Sequence, residues 1–108
     1  MDEDTEDNPS FVFVENAEWL DEACRLLAAI ANPKRLHMLS LLMRQEMSVS
    51  QLAKVVDLEQ SPTSQHLAKL RAVGFVETRR EAQQIFYACR SDKADRLLRM
   101  LRSLGEQV

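Results

Sequence analysis

"SVSQLAKVVDLEQSPTSQHLAKLRAVGFVETRREAQQIFYAC", residues 48–89, decides how this chain folds. Ser48 is a good N-cap, and Val49, Leu52, Ala53 and Val56 behind it recur at helical spacing. "DLE", 57–59, is a break of three residues. The second helix opens with Gln60–Gln65, six residues without a large apolar side chain, and then places Leu67 and Leu70 inward until Gly74 stops it. From Phe75 the period changes. "FVETRREAQQIFYAC", 75–89, has β-branched and aromatic residues at both ends and the polar centre "RREAQQ", which predicts two short strands joined by a charged hairpin.

Outward from this stretch the chain is helical. Leu20, Ala23, Leu27 and Ile30 predict a first helix over 17–31. Asn32 as N-cap and Pro33 as first helical residue start a second, running to about Gln45 with Leu36, Leu39 and Met43 inward. Ser91 caps a last helix with the stripe Ala94, Leu97, Leu98, Leu101 and Leu104. The order is α-α-α-α-β-β-α, mainly α with one small β hairpin. Two short helices joined by a tight break and followed by a hairpin form the layout of a winged helix-turn-helix.

The 108 residues suit one domain: a folded part over 15–108 behind an acidic, flexible tail at 1–14. No apolar run approaches the 18 residues of a membrane span, and the acidic N-terminus is no signal peptide, so the chain reads as cytoplasmic. The net charge of −3 is misleading if taken whole. Asp2, Glu3, Asp4, Glu6 and Asp7 are five of the 17 acids; the other 12 face 14 bases. Between Gln60 and Arg90 five bases oppose Glu77 and Glu81. That mild basic bias is compatible with plain solvated surface as well as with DNA.

The reading face of the helix at 60–74 is more telling. With Leu67 inward and 100° per residue, Thr63, Leu70 and Gly74 lie on its side, while Ser61, Gln65, Ala68 and Ala72 cluster opposite, flanked by Ser64 and Lys69. An ordinary solvated helix carries long Glu, Lys and Arg there. A helix in the major groove needs small residues for close approach, Gln or Ser for base edges and cations for phosphates. Arg79 and Arg80 with Gln83 and Gln84 at the hairpin tip suit a wing reaching the minor groove or flanking phosphates. No acid/base set, nucleophile elbow or phosphate loop is present, so no enzyme and no cofactor is expected.

"AIANPKRLHMLSLL" and "EMSVSQLAKVVDLEQSPTSQHLAKLRAVGFVETRREAQQIFYAC" together resemble the ArsR/SmtB family of dimeric winged-helix repressors, over roughly residues 17–105. "ANPKRL", "SQHL" and "TRREAQQIFY" are most similar to its branch of nodulation, hemolysin and biofilm regulators. The resemblance implies a homodimer built from the first and last helices, reading an inverted repeat in double-stranded DNA. Trp19, Leu20, Leu27, Leu97, Leu98, Leu101 and Leu104 are the expected dimer core. By position, Gln60, Ser61, Ser64 and Gln65 would meet base edges, Thr63, His66 and Lys69 would lie near the DNA backbone, and Arg79, Arg80 and Gln83 would form the wing. Pro62 departs from the pattern, with Glu59 where relatives often have Ser. Either Ser61 caps and Pro62 is the first helical residue, or Glu59 caps and Pro62 sits in the first turn.

Metal-sensing members carry a Cys-x-Cys pair where this chain has Ser48 and Ser50, and hydroxyls do not replace thiolates for soft metals, so no metal site is expected. Redox-responsive members use cysteines where Ser40 and Glu106 stand. Cys24 and Cys89 remain, read as small buried hydrophobes or, alternatively, as a non-standard thiol sensor responding to oxidant or persulfide. The reading that follows is a sequence-specific DNA-binding repressor, with a protein-interaction module that no longer binds DNA as its rival. No effector is named by the residues.

Overall fold

The structure is a computed structural model and describes residues 17–106; the acidic tail expected at 1–14 lies outside them. Eight elements follow in order: α1 (Ala17–Ile30), α2 (Pro33–Arg44), β1 (Met47–Ser48), α3 (Val49–Val56), α4 (Gln60–Ala72), β2 (Glu77–Glu81), β3 (Gln84–Ala88) and α5 (Asp92–Glu106). The expected helices and hairpin are all present.

Local chemistry sets the boundaries. Asn32 Oδ1 accepts from the Arg35 N–H at 3.1 Å, with Pro33 opening α2. Ser48 forms a capping box: its hydroxyl accepts from the Gln51 N–H at 3.2 Å, and its own N–H donates to the Gln51 side chain at 2.9 Å. Asp57 takes the left-handed conformation, φ 60°, which turns the chain sharply between α3 and α4. Gly74, φ 81°, ends α4, and the next N–H, of Phe75, returns to the Leu70 carbonyl at 3.0 Å. Ser91 Oγ accepts from the Ala94 N–H at 3.1 Å and caps α5.

One element is additional to the sequence reading. β1 is two residues long, too short to show alternation, and pairs antiparallel with β3 through Met47↔Tyr87 and Ser48↔Phe86. The sheet order is β1-β3-β2, with the hairpin register running from Glu77↔Ala88 to Glu81↔Gln84. Ser48 thus ends a strand and starts a helix, which locks the wing to the helix-turn-helix.

Met38, Leu39, Leu42, Leu52, Val56, Leu67, Leu70 and Phe75 form the centre of the core, joined by Ala94 from α5. In α2 the inward row is Met38, Leu39 and Leu42; Leu36 and Met43, expected inward, are only partly buried against it. Two polar ties add direction. The Cys89 N–H donates to the Leu42 carbonyl at 3.2 Å, and Lys34 Nζ donates to the Val56 carbonyl. The outer helices contribute little to this core. Among their described residues only Ala29 and Ile30 of α1 and Ala94 of α5 are buried.

Candidate nucleic-acid interface

The start of α4 is resolved in favour of Glu59. It is the N-cap residue, without a side-chain cap bond, so Pro62 sits in the first turn. There a missing N–H costs nothing, because the first turn has no helical acceptor. The first turn closes with the Thr63 N–H on the Glu59 carbonyl at 3.2 Å, and the Thr63 hydroxyl donates to that same carbonyl at 2.8 Å. Ser61 is therefore released from capping and lies exposed on the outer face. Pro62 also removes one of the free N–H groups by which a helix start attracts phosphate.

Thr63, expected near the DNA backbone, is fully buried in the core beside Leu67 and Leu70. Its place on the inward side of α4 forbids a surface role. Gln60, Ser61, Ser64, Gln65, Ala68 and Lys69 are exposed, and together they form a face of amides, hydroxyls and one cation. His66 is half-buried at the edge of this face. Burial first, then the Arg35 and Lys69 cations, hold its imidazole below the ordinary value, so it stands neutral near pH 7.

The wing divides its charges. Arg79 is gripped by Glu46, Nε to Oε2 at 2.8 Å and Nη2 to Oε1 at 2.9 Å, and by Glu81 at 2.7 Å. Its guanidinium also lies 5.1 Å from the centre of the Phe86 ring. The hydrogen bond to Arg79 depresses the Glu46 carboxyl, and those to Glu46 and Glu81 raise Arg79. Arg79 is thus a strap across the sheet rather than a free cation. Glu46, which precedes β1, was invisible as its partner because 33 residues separate them in sequence. Arg80, the next residue, points to the other face of β2, is exposed and forms no ion pair among the described residues. Gln83 is exposed in the turn beside Ala82, itself at φ 57°. Arg90 pairs with Glu77 at 2.8 Å at the base of the hairpin.

Of the expected dimer residues, Trp19, Leu27, Leu101 and Leu104 are 47%, 54%, 40% and 57% exposed, while Leu20, Leu97 and Leu98 are partly buried. The same face holds Met100, 59% exposed, which the leucine stripe overlooked. Leu26, Leu27, Leu97 and Met100 line an apolar cleft of about 360 Å³ between α1 and α5.

The thiols are apart in character. Cys24 is exposed on α1, whereas Cys89 is buried at the end of β3, and both are free. Burial pushes the Cys89 thiol up, which disfavours the reactive thiolate. Ser40 and Glu106, the two positions compared with redox cysteines, line one cavity of about 410 Å³ between α2 and α5, but without sulfur. Among the described residues no group of three or more His, Cys, Asp or Glu could hold a metal.

Residues 32–78, from the start of α2 through the start of β2, match the model of the bacterial regulatory proteins of the arsR family. The nodulation protein NolR of Rhizobium meliloti is 47% identical over 92 residues, 85% of this chain and 73% of that protein. This chain belongs to the arsR family. The transcriptional activator HlyU of Vibrio cholerae is 43% identical over 83 residues, 77% of each protein. The biofilm growth-associated repressor of Agrobacterium fabrum is 45% identical over 80 residues, 74% of this chain and 68% of that one. The crystal structure of NolR from Sinorhizobium fredii superposes with a TM-score of 0.80, covering 83% of this chain and 90% of that one at 47% identity. The solution structure of a homodimeric winged helix-turn-helix DNA-binding domain from Mycobacterium bovis gives 0.77, covering 84% of each chain at 30% identity. The arsR-family protein described here is a transcriptional regulator with a DNA-binding winged helix-turn-helix, not an enzyme. No helix among its described residues is long and apolar enough to cross a membrane.

Proposed function

We propose that this arsR-family regulator is a cytoplasmic homodimeric repressor that reads an inverted repeat with two copies of α4 and occludes polymerase at a promoter. The observation that carries this reading is the division of α4 into a buried side, Thr63, Leu67 and Leu70, and an exposed face of Gln60, Ser61, Ser64, Gln65 and Lys69. In this reading the four Gln and Ser side chains meet base edges, Lys69 and the edge residue His66 lie beside phosphates, and Arg80 with Gln83 forms the contacting part of the wing. Arg79 holds the wing in place. The exposed apolar side chains Leu27 of α1 and Met100, Leu101 and Leu104 of α5 form the dimer seam in this reading, in keeping with the homodimeric relative.

Affinity for duplex DNA measured across salt tests the reading. Phosphate neutralisation gives a steep fall of log K with log salt. No binding at low salt, or a flat slope, would assign the fold to protein–protein pairing instead. Within that experiment, Gln65→Ala is expected to cost about 1–3 kcal/mol on the preferred sequence and to relax base preference. Arg80→Ala is expected to weaken all sequences alike. Uniform loss in both mutants would remove Gln65 from base readout.

The thiols are expected to be passive. Cys24→Ser and Cys89→Ser should bind DNA as the parent does, with and without oxidant or persulfide, because Cys89 is buried and held as the thiol. An oxidant response present in the parent and lost in either mutant would establish the sensor.

A further inference from the structure

Arg35 stands in the first turn of α2 and has no carboxylate. Its Nε is buried without a hydrogen-bond partner, and so is Nδ1 of His66. Arg25 from α1, Arg35 and Lys69 from α4 line one open pocket of about 330 Å³ whose remaining wall is alanine and Val73. No acid lines it. Four other guanidinium groups are matched, Arg79 by Glu46 and Glu81, Arg90 by Glu77, Arg96 by Asp92 and Arg99 by Asp95, whereas the exposed Arg44, Arg71, Arg80 and Arg102 have no ion pair among the described residues; Arg35 differs from these in being partly buried. Of the three cations here only Arg25 has a partner, Glu22 on its own helix, in an exposed pair of the kind that exchanges readily. Three cations lining one pocket without an acid suit an anion.

The location says which anion. At 100° per residue, Ala72 lies on the Ser61–Gln65 face of α4, with Lys69 about 60° and Val73 about 100° around the helix from it. A helix inserted in a major groove about 12 Å wide has a sugar–phosphate backbone on each flank. With α4 in the groove, the Lys69–Val73 wall would place the pocket toward one flank. It also stays open in the dimer, because Arg25 and Leu27 are two residues apart on α1 and point about 200° from each other.

We propose that Arg35, with Arg25 and Lys69, forms a phosphate socket that grips the DNA backbone beside the recognition helix. This extends the interface to α1 and α2, and it rests on the DNA-binding reading above. The socket adds affinity and register but no base preference. A free phosphorylated molecule would present the same chemistry, so the experiment separates the two sources.

Salt dependence of binding is measured for the parent, Arg35→Gln, Arg35→Lys and the pair Arg25→Gln with Lys69→Gln, on a preferred and an unrelated duplex, after thermal unfolding has shown each variant folded. Because the dimer carries two sockets, Arg35→Gln is expected to lower the log–log slope by about two and the double variant by about four, with both duplexes weakened alike. Arg35→Lys should keep the parent slope. If Arg35→Gln does not fold, the double variant of exposed residues decides alone. A steep parent slope unchanged in every folded variant overturns the socket and leaves the repressor reading intact. A parent without salt-dependent binding overturns the repressor reading itself, and the socket with it. In the second arm inorganic phosphate is added to the DNA-free protein while the His66 ring is followed by NMR. A saturable shift abolished by Arg35→Gln, together with unchanged DNA slopes, would assign the pocket to a free ligand and overturn the DNA contact.

Discussion

Replacing Leu27 and Met100 together by Glu is expected to leave this protein monomeric and to lower its affinity for a full inverted repeat by about 100-fold or more. The two side chains line one cleft between α1 and α5 and are 54% and 59% exposed. Trp19 on α1 and Leu101 and Leu104 on α5 are further large apolar side chains exposed on the same two helices. In a two-fold dimer the same patch meets itself, so the double substitution places four carboxylates in one dry seam. Each buried, unpaired carboxylate costs several kcal/mol. Neither residue touches the buried centre of the core, so the fold of the protomer should persist.

The DNA effect follows from tethering. In the proposed dimer, two α4 helices on one rigid body would bind the second half-site at a high effective concentration, which a monomer forfeits. Sedimentation equilibrium reads the association, and titration of a duplex selected from a random pool reads the affinity. Binding to an isolated half-site should be unchanged. A double mutant that stays dimeric would move the seam away from this face.

The fold was largely legible because its signals are local. The capping residues Asn32, Ser48 and Ser91 all act as caps, and Gly74 ends α4 in the conformation that glycine favours. Each lies within four residues of the group it satisfies. β1 escaped notice for the opposite reason: its two residues are a strand only because Tyr87 and Phe86 lie opposite them, 38 to 40 residues along the chain. Leu36 and Met43 show a second limit. Helical period separates a wet side from a dry one, but in α2 both flanks are apolar, and packing alone chose Met38 and Leu42.

Helical phase foresaw which side of α4 is exposed, while two residues of the candidate site stand differently from their expected places. Helical phase put Thr63 inward, and the structure keeps it there, bonded to Glu59; the family pattern alone had placed it near DNA. Arg79 and Arg80 are adjacent, chemically identical and both exposed, yet strand alternation sends one to Glu46 and leaves the other without an ion pair among the described residues. No sequence pattern distinguishes them without the partner strand. Arg35 went unnoticed because it reads as an ordinary residue of an amphipathic helix. Its distinction is a buried Nε without a partner, which tertiary packing and not sequence pattern reveals.

The anchor of the reading helix should be separable from its reading face. Leu67→Ala is expected to destabilise the protein by about 2–5 kcal/mol, because Leu67 is fully buried and its neighbours in α2 and α3 cannot close the gap. For a domain of this size that lowers Tm by about 10 °C or more, at fixed protein concentration so that dimerisation does not shift the comparison. Gln65→Ala, two residues earlier on the exposed side, should change stability by less than about 0.5 kcal/mol while altering base preference. Thermal unfolding of both mutants beside their DNA titrations checks the contrast. At temperatures where Leu67→Ala is still folded, its base preference should match the parent, since loss of a core contact alters how much protein is native rather than which bases Ser61, Ser64 and Gln65 meet. A changed preference in folded Leu67→Ala would mean that the core sets the orientation of α4 in the groove. The reading face and its anchor would then be one unit.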